Sequence, residues 1–228
     1  MPACQFTGTS QKLALFQKQQ ESTTFSILTT TTTKMLTSTS TLPTTTTTIW
    51  DDRIAQNAQK YADITNKLVH STPNQRLGLA ENANQGSSSI GSTDDSILKN
   101  AAESCSIAWA REAQSFGLRN PNTGKIEFIW NNHQGNGHVI NMIASGTNRI
   151  GCGISKWKNG QNGLNVYVFC QYKNHGNLQI PNHVYLEAST CSQCPPGTIC
   201  DNQSGLCKCP EDGKGLCAPD NVTKYWKQ

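Results

Sequence analysis

The sequence predicts an α+β domain followed by a small disulfide-rich tail. Two stretches show the apolar spacing of amphipathic helices, and two strand-like stretches are separated by Asn-Gly pairs. Six of the ten cysteines lie close together, between Cys191 and Cys217. With 228 residues, the chain is long enough for one core of good size and a small appended unit.

The first helix is predicted within "WDDRIAQNAQKYADI", with acidic residues in its first turn. One helical face carries its apolar residues, which are Ile54, Ala58, Tyr61 and Ala62. The second helix is predicted over "DDSILKNAAESCSIAWAREAQSFG", with Asp94 or Asp95 as its N-cap and Gly117 at its end. Its apolar stripe is Ile97, Ala101, Cys105, Ala108, Trp109 and Phe116.

Glu112 falls on the apolar stripe of the second helix, three residues after Trp109 and four before Phe116. A carboxylate on a buried face needs a hydrogen-bonding or charged partner. The alternative is that Glu112 lies at the edge of the stripe and reaches water.

A β-hairpin is predicted from "RIGCGISKW" and "LNVYVFCQY", which are joined by "KNGQNG". This hairpin places Cys152 and Cys170 on neighbouring strands, where they can form a disulfide.

The cysteine-rich segment is too small for a hydrophobic core and needs cross-links. Spacing does not choose among the alternative pairings of its six cysteines. The Cys-x-x-Cys spacing at its start is compatible with zinc, but disulfides are favoured because no well-spaced histidines accompany it. The candidate residues are Cys191, Cys194, Cys200, Cys207, Cys209 and Cys217. If they pair internally, Cys4 and Cys105 remain for each other.

Three regions follow from this organisation. Residues 1–48 include a Thr-rich tract that cannot bury much apolar surface, so a disordered or degenerate segment is expected. Residues 49–188 form the main domain, and residues 189–228 form the cysteine-rich tail.

The cysteines predict an oxidising, extracellular compartment, and two glycosylation sequons, at Asn202 and Asn221, agree with it. No signal peptide is visible in "MPACQFTGTSQKLALFQ", so the chain is written without its leader, its start is misassigned, or it is not exported. The net charge of +4 is scattered, which argues against nucleic acid as a partner. No apolar run approaches the about 18 residues of a membrane span.

Four motifs in order resemble the CAP superfamily, which includes cysteine-rich secretory, antigen 5 and pathogenesis-related proteins. They are "SCSIAWAREAQSFG", "GNGHVINMIASGTNRIGCG", "VYVFCQYKNHGN" and the cysteine-rich tail. The tail and the segment "HSTPNQRLGLAEN" are most similar to the nematode SCP/TAPS, or venom-allergen-like, branch. The resemblance implies a three-layer α-β-α sandwich, in a domain that can begin near residue 10.

The resemblance also implies a cleft with two histidines and two glutamates. The matching residues are His70, Glu81, Glu112 and His138. Imidazole nitrogens of His70 and His138 could bind Zn²⁺ or a similar divalent cation weakly, while the carboxylates orient the rings.

The implied function is that of a secreted, non-enzymatic protein that binds small hydrophobic ligands, such as sterols or fatty acids, or extracellular protein partners. In parasitic members of the family such functions are often immunomodulatory. The tail could itself engage protein partners, or it could serve as a disulfide-held hinge.

The alternative is a metal-dependent hydrolase with Glu81 or Glu112 as general base. No third metal ligand is evident, since His133 and His175 lie in Asn/Gly-rich loops that favour solvent exposure. A hydrolase that uses Ser71 would lack a nucleophile-elbow pattern.

The chain departs from the family pattern in three places, one of which is "AEN" in place of "GEN" at residues 80–82. "LFQKQQESTTF" lacks the His-Asn and Arg of the family's first helix. After His138, the residues Val139, Ile140, Asn141 and Ala144 replace Tyr, Thr, Gln and Trp, so the wall of the cleft beside His138 is expected to differ.

Overall fold

The computed structural model describes residues 48–118, 127–128, 135–144, 147–174, 182–183, 191–192, 198–202 and 206–208. The predicted Thr-rich segment, apart from Thr48, lies outside these residues, as do His133, His175 and Asn221. No helix in this part of the chain has the length and apolar character needed to cross a bilayer.

Helices and strands alternate in the first part of the described chain, and only strands follow the last of its helices. Its helices are α1 (Asp52–Ile64), α2 (Asp94–Phe116) and α3 (Gly137–Ile143). The strands of the main sheet are β1 (Ile49–Trp50), β2 (Ala80–Ser89), β4 (Thr147–Asn159) and β5 (Gly163–Asn174). Two small antiparallel pairs are formed by β3 (Glu127–Phe128) with β6 (Asn182–His183) and by β7 (Ile199–Asp201) with β8 (Leu206–Lys208).

The main sheet has the strand order β1-β4-β5-β2. Strands β4, β5 and β2 are antiparallel, and the two-residue β1 runs parallel to β4. The predicted hairpin is confirmed, because β4 and β5 pair along their length and turn at residues 160–162. Cys152 lies opposite Cys170, and their sulfurs form a disulfide.

The sheet carries helices on both faces, which confirms the predicted three layers. Successive side chains of a strand point to opposite faces. Along β5, Val166, Val168, Cys170 and Tyr172 therefore join the core under α2 and α3, whereas Tyr167 and Phe169 pack with Tyr61 and Ala62 of α1. Burial on both faces explains why this strand is an almost continuous apolar run.

Helix α1 lies very close to β4. A Cβ atom on Gly151 or Gly153 would overlap backbone atoms of α1, so only glycine permits this approach. The side chain of Gln59 accepts from the backbone N–H of Ile154 at 3.0 Å and donates to its carbonyl at 2.8 Å. Helix α1 is thus attached to the outer edge of β4 as well as to its face.

The two predicted long helices are confirmed, with corrections to their details. The predicted residues of α1 are buried. In α2 the N-cap is Thr93 rather than Asp94 or Asp95, because the Thr93 hydroxyl accepts from the N–H of Ser96 at 3.2 Å. Gly117 ends α2 as predicted, with a positive φ of 74°.

The predicted apolar stripe of α2 included two exposed residues and left out buried ones. Ala108 is exposed, and Phe116 keeps 49% of its surface exposed. Ser106 is buried and Leu98 joins the core instead, because the sheet and α3 cover the α2 face that includes Leu98, Ala102 and Ser106.

Two predictions about the cysteines have different outcomes. In the tail, Cys191 is bonded to Cys200, which agrees with internal pairing. The bridge between Cys4 and Cys105 is wrong, since Cys105 is a free, buried thiol. Elimination failed here because the apolar core under α2 accommodates an unpaired cysteine well.

Candidate functional site

The first pair of site residues joins the segment after α1 to strand β2. Nδ1 of His70 lies 3.0 Å from Oε1 of Glu81. The side chain of Glu81 is 1% exposed, whereas that of His70 is 55% exposed. The glutamate is therefore buried beneath an imidazole that faces solvent.

The carboxylate of Glu81 has four donors. Besides His70, the backbone N–H of Ser71 donates to it at 2.9 Å, the Ser71 hydroxyl at 2.6 Å and Nε2 of Gln171 at 3.0 Å. Burial by itself would raise the pKa of Glu81, but the hydrogen bonds from His70, Ser71 and Gln171 outweigh it, and the pKa lies below its ordinary value. The carboxylate is thus held in its ionised form.

Further contacts fix the surroundings of Glu81. Nδ2 of Asn57 in α1 donates to Oε1 of Gln171 at 2.8 Å, so the nitrogen of that buried amide faces Glu81. Arg76 donates to the carbonyl of Ser71. The hydroxyl of Tyr61 donates to the carbonyl of Val69 at 2.8 Å, directly before His70.

The second pair joins α2 to α3. Nδ1 of His138 lies 2.5 Å from Oε1 of Glu112. The side chain of Glu112 is 14% exposed and that of His138 is 35% exposed. The predicted partner that Glu112 needs on the buried face is therefore this imidazole.

Glu112 also binds the beginning of α3. Its Oε2 accepts from the backbone N–H groups of His138 at 3.0 Å and of Val139 at 3.1 Å. These N–H groups lack partners inside the helix, and the N-cap residue Asn136 supplies no side-chain cap. Trp109 stacks on the His138 ring, with centroids 5.8 Å apart and planes 15° apart. Both the backbone and the ring of His138 are thereby held by α2.

The two pairs have the same chemistry. An ionised carboxylate only accepts hydrogen bonds, so it favours the tautomer in which Nδ1 carries the proton. The neutral ring then has its lone pair on Nε2. Within the described part of the chain, no hydrogen bond involves Nε2 of His70 or His138.

Strand β2 connects the two pairs. Glu81 holds His70, and the next residue, Asn82, donates from Nδ2 to the carbonyl of His138 at 3.0 Å. The four predicted residues thus form two pairs, which β2 links through the adjacent residues Glu81 and Asn82. No group of three or more His, Cys, Asp or Glu side chains is arranged to hold a metal ion in the described residues.

Most of the residues that replace the family pattern after His138 are buried. Val139, Ile140 and Ala144 are buried in the core, whereas Asn141 turns its amide to Oδ1 of Asn82 at 2.8 Å. The replacements thus contribute apolar core residues and one hydrogen bond to β2.

Several residues of the site were missed in the sequence. Ser71 was considered only as a nucleophile, yet it is 2% exposed and donates to Glu81. Gln171 interrupts the apolar run of β5 at a position that faces α1, and a polar side chain in a strand buried on both faces was the available signal. Asn82 and Asn141 gave no comparable signal.

Among the other predicted residues, Asn202 lies exposed in the turn that follows β7, which leaves its glycosylation a prediction. Cys207 lies in β8 opposite Cys200. Cys194, Cys209 and Cys217 lie outside the described residues.

Comparison with known proteins gives consistent matches. The Ancylostoma secreted protein of Ancylostoma caninum is 29% identical over 71% of this chain and 35% of its own length. Scoloptoxin SSD43 of Scolopendra dehaani is 30% identical over 70% of this chain and 68% of its own. The chain spans about a third of the length of the Ancylostoma protein.

A solved structure, the crystal structure of NaASP2 with Zn²⁺, superposes with a TM-score of 0.65 and 26% identity. It covers 90% of this chain and 99% of that one. The profile of the cysteine-rich secretory protein family, CAP, matches residues 42–172, which is more than half of the chain. The matched span contains both histidine–glutamate pairs and the main sheet except the last two residues of β5, and the chain therefore belongs to the CAP, or cysteine-rich secretory protein, family.

Proposed function

We propose that this protein is an extracellular, non-enzymatic binding protein whose site is formed by the two histidine–glutamate pairs. One observation carries the proposal: in both pairs a buried or half-buried carboxylate accepts a hydrogen bond from Nδ1. The lone pair of Nε2 is then left for a ligand. Two imidazoles that are each held through Nδ1 by a carboxylate are suited to a ligand that accepts lone pairs. The family and the disulfides support an extracellular location.

A divalent cation such as Zn²⁺ is the simplest ligand of this kind. The donor set fits it in part, because carboxylate-oriented neutral imidazoles are common zinc ligands. His70 and His138 would supply two nitrogens, and water would complete the coordination. Since the described residues offer no third protein ligand, we propose weak, reversible binding.

The hydrogen bonds that the two carboxylates already accept favour binding over catalysis. A general base needs a lone pair that can take a proton from the attacking water. Glu81 accepts four hydrogen bonds and has a lowered pKa, and Glu112 accepts three. Ser71 is buried and donates to Glu81, so it is poorly placed as a nucleophile. The hydrolase alternative would gain support only if Glu112→Gln lowered a measured turnover.

A hydrophobic ligand or an extracellular protein partner is the second candidate. The segment that leads into His70 exposes Ile64 at 70%, Leu68 at 49% and Val69 at 56%. Apolar side chains this exposed and this close in sequence favour contact with a sterol, a fatty acid or an apolar protein surface. An immunomodulatory role would be one form of protein binding.

The metal proposal is tested by calorimetric titration of Zn²⁺ into natively oxidised protein at neutral pH. The comparison is a His70→Ala/His138→Ala double variant, with His183→Ala as the control because His183 belongs to neither pair. We expect saturable binding in the wild type and the control, and none in the double variant. Binding that persists in the double variant would place the cation elsewhere.

The hydrophobic-ligand proposal is tested by titrating cholesterol and a long-chain fatty acid into the folded protein. Leu68→Ser/Val69→Ser should weaken binding, while Ile107→Ser, an exposed apolar residue on α2, should not. No saturable binding to the wild type would remove this part of the proposal.

A further inference from the structure

Asn82 occupies the position in β2 between the two histidine–glutamate pairs. It follows Glu81, and because side chains alternate along a strand, its amide points to the opposite face of the sheet. Asn82 is completely buried, at 0% exposure. A buried amide with four hydrogen-bonding valences has to be matched by its surroundings, so its contacts define the local geometry.

This amide makes three hydrogen bonds, two through its nitrogen and one through its oxygen. Nδ2 donates to the carbonyl of His138 at 3.0 Å and to the hydroxyl of Tyr172 at 3.2 Å. Oδ1 accepts from Nδ2 of Asn141 at 2.8 Å. A carbonyl only accepts, so the contact with His138 fixes which end of the amide carries the nitrogen.

Together with the contacts from α2, this bond holds the N–H, the ring and the carbonyl of His138. Glu112 binds its N–H and its Nδ1, Trp109 stacks on its ring, and Asn82 binds its carbonyl. Only Asn82 belongs to the sheet; the other two residues belong to α2. Without Asn82, α3 would be tied to α2 at this point but not to the strand that holds Glu81 and His70.

We infer that Asn82 is a positioning residue that fixes His138 relative to His70, so that both Nε2 atoms can engage one ligand. The inference builds on the proposed binding role of the two histidines. Two adjacent residues of one rigid strand then hold the two halves of the site, Glu81 through the His70 ring and Asn82 through the His138 backbone. Asn141 assists by fixing the orientation of the Asn82 amide.

The decisive experiment is a double-mutant cycle between Asn82→Asp and His138→Ala, with Zn²⁺ affinity as the measured quantity. Asn82→Asp keeps the size and the acceptor for Asn141 but removes the donor to His138. We expect Asn82→Asp to weaken zinc binding about 10- to 100-fold, the usual effect of removing support from a ligand. Added to His138→Ala, it should cause no further loss, because it acts through His138. Additive losses would overturn the inference.

Tyr172→Phe is the matched control. It removes one acceptor from Nδ2 of Asn82 and leaves the bond to the His138 carbonyl intact. Its zinc affinity should stay at the wild-type value. If Asn82→Asp does not fold, Asn141→Ala replaces it in the cycle, since Asn141 is only half-buried and its loss removes the hydrogen bond that Oδ1 of Asn82 accepts.

Amide hydrogen exchange separates failure of this inference from failure of the metal proposal. Asn82→Asp or Asn141→Ala should speed exchange several-fold at the amides of His138 and Val139, and Tyr172→Phe should not. This result would support the positioning role even if the wild type bound no zinc. Unchanged exchange at these two amides in both variants would overturn it, whatever the zinc affinity.

Discussion

Gly151 of β4 lies so close to Ala55 of α1 that a Cβ atom on the glycine would overlap the backbone nitrogen of the alanine. The obstacle is main chain rather than the end of a flexible side chain. It can be relieved only if the whole helix moves away from the sheet. Ala55 belongs to the same helix as Asn57, whose amide orients Gln171 and through it Glu81.

Gly151→Ala should therefore destabilise the fold. We expect a loss of about 1–3 kcal/mol or more in the free energy of unfolding, the usual range for overpacking. Urea denaturation measures it. Gly86→Ala is the control, because nothing lies within 4 Å of a Cβ at Gly86, and it should change stability by less than about 0.5 kcal/mol. Equal stability of the two variants would contradict the close approach of α1.

The lowered pKa of Glu81 predicts that the stability of the fold depends on pH. Its pKa is lowered in the folded protein from an ordinary value of 4.5, so its ionised form favours folding above that pH. This contribution is lost as the pH falls through the folded pKa, below 4.5. The gap in unfolding free energy between wild type and Glu81→Gln should thus be largest above pH 4.5 and should shrink in more acidic, metal-free buffer.

Glu103→Gln serves as the comparison for this acid effect. Glu103 lies on α2 and has no hydrogen bond to either histidine. Its variant should follow the wild type across the same pH range. A gap for Glu81→Gln that does not change with pH would show that the carboxylate is not held ionised by the fold.

Glu112→Ala should loosen the beginning of α3. It removes the acceptor of two backbone N–H groups and of the His138 ring. We expect about 1–3 kcal/mol of lost stability, because partly buried donors remain unsatisfied. Exchange at the His138 and Val139 amides should rise more than exchange in β5. Protection of these two amides at the wild-type level would contradict the capping role.

Cys105 should resist modification in the native protein. It is 2% exposed, and burial raises the pKa of its thiol to about 12. Thiolate, the reactive form, is therefore scarce at ordinary pH. Iodoacetamide at pH 8 followed by peptide mass mapping should leave Cys105 unmodified, and addition of denaturant should expose it. Rapid labelling of the native protein would contradict its burial.

Local sequence patterns gave much of the fold because the relevant interactions are close in sequence. The helical spacing of Ile54, Ala58 and Tyr61 and the Asn-Gly turn between β4 and β5 specified their elements directly. The N-cap of α2 was predicted at Asp94 or Asp95, one or two residues late, since Thr and Asp are both common cap residues and only the folded geometry decides among them.

Local sequence patterns predicted less of the site than of the fold. His70 and Glu81 are eleven residues apart and could be named only by resemblance to a family, while their contact depends on how the loop folds over β2. The bond from Asn82 to His138 spans 56 residues and has no periodic signature. Long-range polar contacts of this kind are determined by tertiary packing, so no pattern along the chain indicates them.

The attachment of Gln59 to β4 has a consequence for self-association. The outermost backbone of a sheet offers unpaired N–H and carbonyl groups, on which a strand from another molecule can add. At Ile154 the amide of Gln59 occupies both groups, and the side chains of Lys156 and Lys158 follow along the same strand. An incoming strand would have to displace a side-chain amide and approach the exposed Lys158, whereas Lys156 is already paired with Asp94. Helix α1 therefore obstructs the addition of a foreign strand along this part of β4.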